Sequence, residues 1–220
     1  MDRVDAPVAP MFHARMEFAP VTLEGRHVRL ETLDLTKHWD GLRAIGLAPE
    51  LWRFTAAKVK TEADLRNYFE KAVDEQARGV SLPFATIQRA GPAGGPGRVA
   101  GSTRFGNITH EHRRVEIGWT WLGLDHQRTA LNTEAKYLMM RHAFEVEGCM
   151  RVEFKTSSTN LKSQTAMRRL GLVEEGTLRK WMFNDDGTPR DTMWFSCTDD
   201  EWPEMKVRLE EMLARGAAVR

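Results

Sequence analysis

Apolar and polar positions along this chain fall into blocks whose spacing alternates between strand and helix periods. Val21 to Leu33 alternates as a strand, with Gly25-Arg26 as a break. Leu35, Trp39, Leu42 and Ile45 then recur at helical spacing, and Asp34 or Thr36 can cap that helix. Thr61-Glu62-Ala63-Asp64 opens a second helix, with Asp64 where a capping box usually has Glu or Gln. Its face of Leu65, Tyr68, Phe69, Ala72 and Val73 argues for core packing, and Gly79 ends it. Ser81–Gln88, Arg98–Asn107 and Arg113–Leu122 read as an antiparallel meander, joined by the glycine-rich 91–97 turn and by His110-Glu111-His112. From Thr133 the period is helical again, through Ala135, Leu138, Met139, His142, Ala143 and Val146 to Gly148. A short strand Arg151–Thr156 follows, then a helix Asn160–Leu170 closed by Gly171. Leu172–Phe183 and Arg190–Thr198 make a hairpin about Asp186-Gly187, and Glu201–Ala214 is a terminal helix.

The order β-α-α-β-β-β-α-β-α-β-β predicts an α/β (α+β) fold, a sheet of mixed direction flanked by helices. It predicts one domain over 21–220 behind a flexible tail over 1–20. A chain of 220 residues, 41% apolar and 29% charged, suits one soluble globular domain. A net charge of +1 supplies no field that would draw nucleic acid or an anionic membrane. No run approaches the roughly 20 apolar residues of a membrane span, and Met1–Pro20 lacks the apolar stretch of a secretory signal. Cys149 and Cys197 lie outside any CxxC or metal spacing and read as reduced thiols of a cytoplasmic protein. His110 and His112 are an isolated pair with no HExxH elsewhere, so no metal is expected. Gly101-Ser102-Thr103 lacks the second glycine of a serine-hydrolase elbow.

Candidate chemistry concentrates in two segments. Val115–Leu122 runs into Gln127-Arg128-Thr129-Ala130-Leu131-Asn132 and then a long helix. A strand, a tight turn and a helix point unpaired amides and the positive end of a helix dipole at one spot, which suits phosphate. Neither a Walker lysine nor a dinucleotide fingerprint is present, so the phosphate belongs to something other than a common nucleotide. Trp119 and Trp121 share one face of the strand and either wall a cleft or pack in the core. In the second segment, Lys155 to Ser163, a strand ends in a polar cluster and a helix begins near Asn160. Asn160 either merely caps that helix or faces the same crevice as the first segment.

Three motifs carry a family resemblance: Glu116-Ile117-Gly118-Trp119, the 127–132 turn, and Asn160-Leu161-Lys162-Ser163 followed by Arg169-Leu170-Gly171-Leu172. Together they resemble the GNAT superfamily of acyl-CoA-dependent N-acetyltransferases, and within it the branch of the ribosomal-protein alanine N-acetyltransferases. In element order the resemblance covers about Val21 to Thr198; its diagnostic residues lie between Glu116 and Leu172. The sequence departs from the family pattern at Ala130 and Asn132, where the turn Q/R-x-x-G-x-G/A has glycine, and at Met167, where many members carry tyrosine.

The resemblance implies a mostly antiparallel sheet whose strands Val115–Leu122 and Arg151–Thr156 splay apart. The pantetheine arm of the cosubstrate acetyl-CoA would lie in that gap, paired with backbone groups of Trp119, Thr120 and Trp121. Its pyrophosphate would rest on the amides of Gln127, Arg128, Thr129, Ala130, Leu131 and Asn132, with Arg128 as charge partner. A primary amine would enter from the other side and attack the thioester directly. Glu116 is the implied base, a role that a partly apolar strand environment suits; a salt bridge to Arg104 or Arg114 is its structural alternative. Ser163 is the implied proton donor to the thiolate, with helix capping as its alternative, and Asn160 would bond the pantetheine. The acceptor is a protein N-terminus or a small amine, and a non-catalytic acyl-CoA-binding module is the competing class. The runs Trp181-Met182-Phe183 and Met193-Trp194-Phe195 belong either to the core or to a homodimer face.

Overall fold

A computed structural model describes residues 16–90, 97–184 and 186–218. The glycine-rich turn expected over 91–97 therefore lies, but for Gly97, outside the described residues, as do the first fifteen residues of the expected tail. Among the described residues eight strands form one sheet: β1 (Thr22–Glu24), β2 (Val28–Thr32), β3 (Ser81–Gln88), β4 (Arg98–Thr109), β5 (Arg114–Leu122), β6 (Arg151–Ser157), β7 (Val173–Phe183) and β8 (Pro189–Thr198). Their spatial order is β1-β2-β3-β4-β5-β6-β8-β7, and every neighbouring pair is antiparallel except β5 and β6. The helices are α1 (Leu35–Gly46), α2 (Glu62–Ala77), α3 (Leu131–Arg141), α4 (Leu161–Leu170) and α5 (Trp202–Ala218).

The alternation along each strand sorts side chains to two faces. On one face α1 and α2 bury Leu42, Leu65 and Phe69 against Ala85, Ile87 and Trp121. On the other, α3, α4 and α5 bury Leu138, Met139, Met167 and Leu209 against Phe84, Phe105, Ile117, Phe154 and Phe195. Each fully buried Leu or Phe contributes roughly 1.5–3 kcal/mol, so both faces are needed to hold the sheet.

Local signals terminate the elements largely as their residues dictate. The Asp34 side chain accepts the Thr36 amide at the start of α1, and Thr61 with Asp64 completes both bonds of a capping box on α2. Gly171, at φ 100°, closes α4 in the left-handed conformation that glycine adopts without penalty. The break expected at Gly25-Arg26 divides β1 from β2, and Glu134 of α3 accepts the amides of Arg26, His27 and Val28 there at 2.8, 2.6 and 2.7 Å. The helix expected to run to Gly148 is α-helical only to Arg141 and then widens into a π turn over His142–Val146.

Candidate active site

The one parallel pair is short. β5 and β6 are in register only at Arg114↔Arg151, Val115↔Val152 and Glu116↔Glu153. Beyond that point β5 continues to Leu122 and β6 to Ser157 without pairing, which leaves a wedge-shaped opening at the centre of the sheet. A bulge accompanies the parting. Arg104 faces Gly118 and Ser102 faces Trp121, so Trp119 and Thr120 together stand opposite Thr103, with Trp119 at φ 50°.

The bulge divides the residues expected to line the cleft. The Thr120 hydroxyl lies 2.7 Å from the Thr103 hydroxyl and 2.6 Å from Lys136 Nζ, on the α3 side. The two tryptophans do share the α2 face. Trp121 is core, with ring centroids 5.6 Å from Trp52 and 6.2 Å from Phe69. Trp119 keeps 39% of its surface exposed, with the Arg104 guanidinium 5.0 Å from its ring, and Tyr68 donates to its carbonyl at 3.4 Å. Gly106 makes room for that indole, because a Cβ there would sit 2.3 Å from the ring.

Glu116 occupies the apex of the opening. Ile117 points into the α3-side core, so by alternation Glu116 faces the other side. Its Oε2 receives Lys155 Nζ at 2.7 Å and Asn107 Nδ2 at 2.6 Å. Gly118 leaves space for Oε1, which would lie 3.0 Å from a Cβ at that position. Neither expected arginine is its partner: Arg104 pairs with Glu75 at 2.9 Å and Arg114 with Glu153 at 3.2 Å. The surroundings are accordingly ionic rather than partly apolar. Lys155, which also lies 4.2 Å over the Trp194 ring, comes from the neighbouring strand of the parallel pair.

Beneath the opening lies a group that sequence reasoning missed. Lys136 of α3 is 6% exposed, with its Nζ bonded to Thr120 and 3.4 Å from the Thr103 hydroxyl. Its ammonium also sits 5.8 Å over the Phe154 ring of β6, the other strand of the wedge. Burial pushes its ammonium down to about 7, against a smaller opposing pull from the Glu116 carboxylate.

The anion-binding end follows from how α3 begins. Ala130 holds the N-cap position and supplies no side-chain cap. Thr129 Oγ1 accepts the Leu131 amide at 3.3 Å, and the Glu134 amide reaches the Ala130 carbonyl at 2.9 Å. Among the described residues the amides of Arg128, Thr129, Ala130, Asn132 and Thr133 have no hydrogen-bond acceptor. Ala130 has φ −66°, so the departure from glycine there imposes no backbone strain. Gln127 braces the turn by donating to the Leu122 carbonyl at 3.0 Å, and its side-chain oxygen accepts from Lys162. Arg169 of α4 donates to Thr133 Oγ1 at 3.1 Å, while Arg128 is exposed on the turn. Three cations therefore surround this helix end, where only Arg128 was expected.

Asn160 and Ser163 lie at the start of α4. Asn160 Oδ1 accepts the Ser163 amide at 3.2 Å, which is the helix-cap arrangement. No contact joins Ser163 to Glu116, which faces the opposite side of the sheet from α4. Met167, at the position where many relatives carry tyrosine, is buried in the core. A surface hollow of about 350 Å³ between Arg113 and Asp199 holds none of these groups.

Residues 27–173 match the family described as the acetyltransferase (GNAT) domain. A GCN5-related N-acetyltransferase from Brucella melitensis is 32% identical and superposes with a TM-score of 0.80 over 89% of this chain and 86% of its own. Among curated proteins, YoaA of Bacillus subtilis, an uncharacterized N-acetyltransferase, is 29% identical over 44% of this chain and 54% of its own length. YdaF of the same bacterium, provisionally named a ribosomal N-acetyltransferase, is 27% identical over 48% of this chain and 57% of its own. The chain thus spans only a little over half the length of the curated relatives it matches. Because the domain match takes in both strands of the wedge and the helix between them, this chain belongs to the GNAT acetyltransferase family.

Proposed function

We propose that the protein is an acetyl-CoA-dependent N-acetyltransferase that moves an acetyl group to a primary amine by direct attack in a ternary complex. The parting of β5 from β6 after Glu116 carries this reading. The opening exposes strand edges for the pantetheine amides at Trp119, Thr120 and Trp121, and it leads to the uncapped start of α3. The free amides of Arg128, Thr129, Ala130, Asn132 and Thr133, with the side chains of Arg128, Lys162 and Arg169 around them, suit a diphosphate. RimJ of Mycobacterium smegmatis, which has the same fold at 22% identity and a TM-score of 0.68, has been solved with CoA-disulfide.

In this reading Glu116 takes a proton from the incoming amine through Oε1, because Lys155 and Asn107 both occupy Oε2. The amine nitrogen then forms the new bond to the thioester carbonyl carbon as the carbon–sulfur bond breaks. Ser163 hands its hydroxyl proton to the departing sulfur and takes back the second proton that the nitrogen sheds on becoming an amide, while Asn160, held as the α4 cap, bonds the pantetheine. Lys136 is a positioning residue that ties Thr120, and with it the bulge, to α3. The acceptor of the leading reading is a protein N-terminus, and a small amine is its alternative. The two buried free cysteines suit the cytoplasm. The edge strand β7 exposes Leu178, Trp181 and Phe183, which suits a homodimer contact and is checked by light scattering.

The test is thiol release from acetyl-CoA with a panel of peptides and small amines. Amine-dependent release supports the enzyme. CoA binding without turnover on any amine would assign the chain to the non-catalytic acyl-CoA-binding class, and absence of CoA binding would overturn both.

A further inference from the structure

The strand β8 presents an alternating set of side chains that the proposed chemistry does not use. Met193, Phe195 and Cys197 point into the core under α3, α4 and α5. Arg190, Thr192 and Trp194 therefore share the opposite face, the one that carries Glu116. Pairing with β6 is unbroken from Ser157↔Thr192 to Arg151↔Thr198, and toward Arg190 the register shift against β7, between Leu178↔Thr192 and Met182↔Arg190, places its extra residues on β7, so β8 keeps its alternation. The set begins beside the apex, because Trp194 lies under the ammonium of Lys155, the Glu116 partner. From there it runs toward the wide end of the opening.

All three residues hold a polar atom that is buried and without a hydrogen-bond partner: Arg190 Nε, Thr192 Oγ1 and Trp194 Nε1. Arg190 is 8% exposed and Thr192 is 1% exposed. Among the described residues no carboxylate pairs with Arg190, and burial alone acts on its guanidinium, lowering its proton affinity. The other buried charges on this face are matched: Glu116 with Lys155, Arg104 with Glu75, and Glu153 with Arg114 and Arg151. Folded proteins pair their buried charges with few exceptions, so an unmatched guanidinium beside two unmatched donors requires an account. A partner that arrives with the substrate supplies one.

We infer that Arg190, Thr192 and Trp194 form a carboxylate-binding subsite for the acceptor, on the same side of the sheet as Glu116. The planar guanidinium fork of Arg190 matches the carboxylate in a bidentate manner, and the Thr192 hydroxyl and Trp194 indole offer donors to the peptide that leads up to it. The spacing narrows the acceptor. At about 3.3 Å per residue, Thr192 and Arg190 lie roughly 7 and 13 Å along the strand from Trp194. An α-amino acid cannot place its own carboxylate so far from its amine. An extended peptide N-terminus with Asp or Glu at its second or third position can, and that is the acceptor class assigned. The free carboxyl terminus of a short peptide offers the same chemistry from a second source. This assignment rests on the N-acetyltransferase reading for the amine, but the subsite itself is open to a binding measurement.

The experiment uses the full chain with acetyl-CoA and paired peptides that differ only by Glu against Gln at the second or third position. A further pair of tripeptides carries either a free or an amidated carboxyl terminus. The wild type is expected to favour the acid over its amide by about 10- to 100-fold in kcat/KM, the scale of a charge-assisted hydrogen bond. In Arg190→Gln the ratio of the two rates falls to about one, and in Arg190→Lys it recovers in part. A preference that follows the free terminus identifies the second source of the same carboxylate. Equal rates on acid and amide in the wild type, or a preference that survives Arg190→Gln, overturn the subsite. Should Arg190→Gln not fold, Thr192→Val provides the same ratio. If no amine is acetylated, equilibrium binding of the paired peptides to the CoA-bound chain reads the same preference. Failure of the transferase reading is thereby kept distinct from failure of the subsite.

Discussion

Replacing Lys136 by methionine tests the physical reading of the cleft floor. In the unfolded chain this lysine has its ordinary value of 10.5, and in the fold burial lowers it to about 7. Between those values the unfolded state binds a proton that the folded state does not, so the lysine's penalty shrinks as pH rises from about 7 to about 10. Below pH 7 the penalty is complete. At 1.36 kcal/mol per pH unit it amounts to about 5 kcal/mol. Methionine has a similar length and no charge, but it forfeits the charged bond to Thr120, worth about 1.5–3 kcal/mol. Lys136→Met is therefore expected to be more stable than the wild type by about 2 kcal/mol at pH 6.5, a rise of roughly 4–8 °C in Tm for a chain of this size. That gain should vanish between about pH 8 and 9, because above pH 7 the folded-state lysine is neutral while the unfolded-state lysine, at 10.5, still holds its proton. Urea and thermal unfolding of both proteins between pH 6.5 and 10 give the answer. A variant less stable at pH 6.5, or a gain that does not change with pH, would refute the reasoning.

Two further substitutions probe the reacting end and the anion end of the cleft. Glu116→Gln should lower kcat by about 10²-fold or more while leaving acetyl-CoA affinity near that of the wild type, as loss of a general base does. An unchanged kcat across the pH range would remove Glu116 from that role. Arg169→Ala should weaken CoA binding by about 10-fold or more by calorimetry, because a charged donor beside the α3 amides is lost. The same titration with pantetheine, which lacks the diphosphate, should show no difference between the two proteins, and an equal loss on both ligands would place Arg169 outside the anion site.

Much of this architecture was legible because its determinants are local. The caps at Asp34 and Thr61 and the stop at Gly171 each depend on residues within one turn. The strand–turn–helix at Val115 to Leu131 was legible for the same reason. What escaped were contacts made by topology. Lys155 reaches Glu116 only because β6 returns parallel to β5 after α3, and no period along either strand names its neighbour. The arginines expected for Glu116 are close in sequence, but each finds its acid elsewhere, in α2 and in β6. The bulge is hidden because Trp119 and Thr120 both suit a strand, and nothing in their type announces a left-handed φ at Trp119. Lys136 lies off the face marked by Ala135, Leu138, Met139, His142, Ala143 and Val146, and only the placement of β4 and β5 against α3 sets the Thr103 and Thr120 hydroxyls beside its ammonium.

A crystal structure of the chain with CoA bound shows whether the parting of β5 from β6 holds acetyl-CoA. Pantetheine is expected between 119–121 of β5 and 154–157 of β6, with the diphosphate within hydrogen-bond distance of amides between Arg128 and Thr133. CoA seated elsewhere, or β5 and β6 paired along their full length, would contradict it.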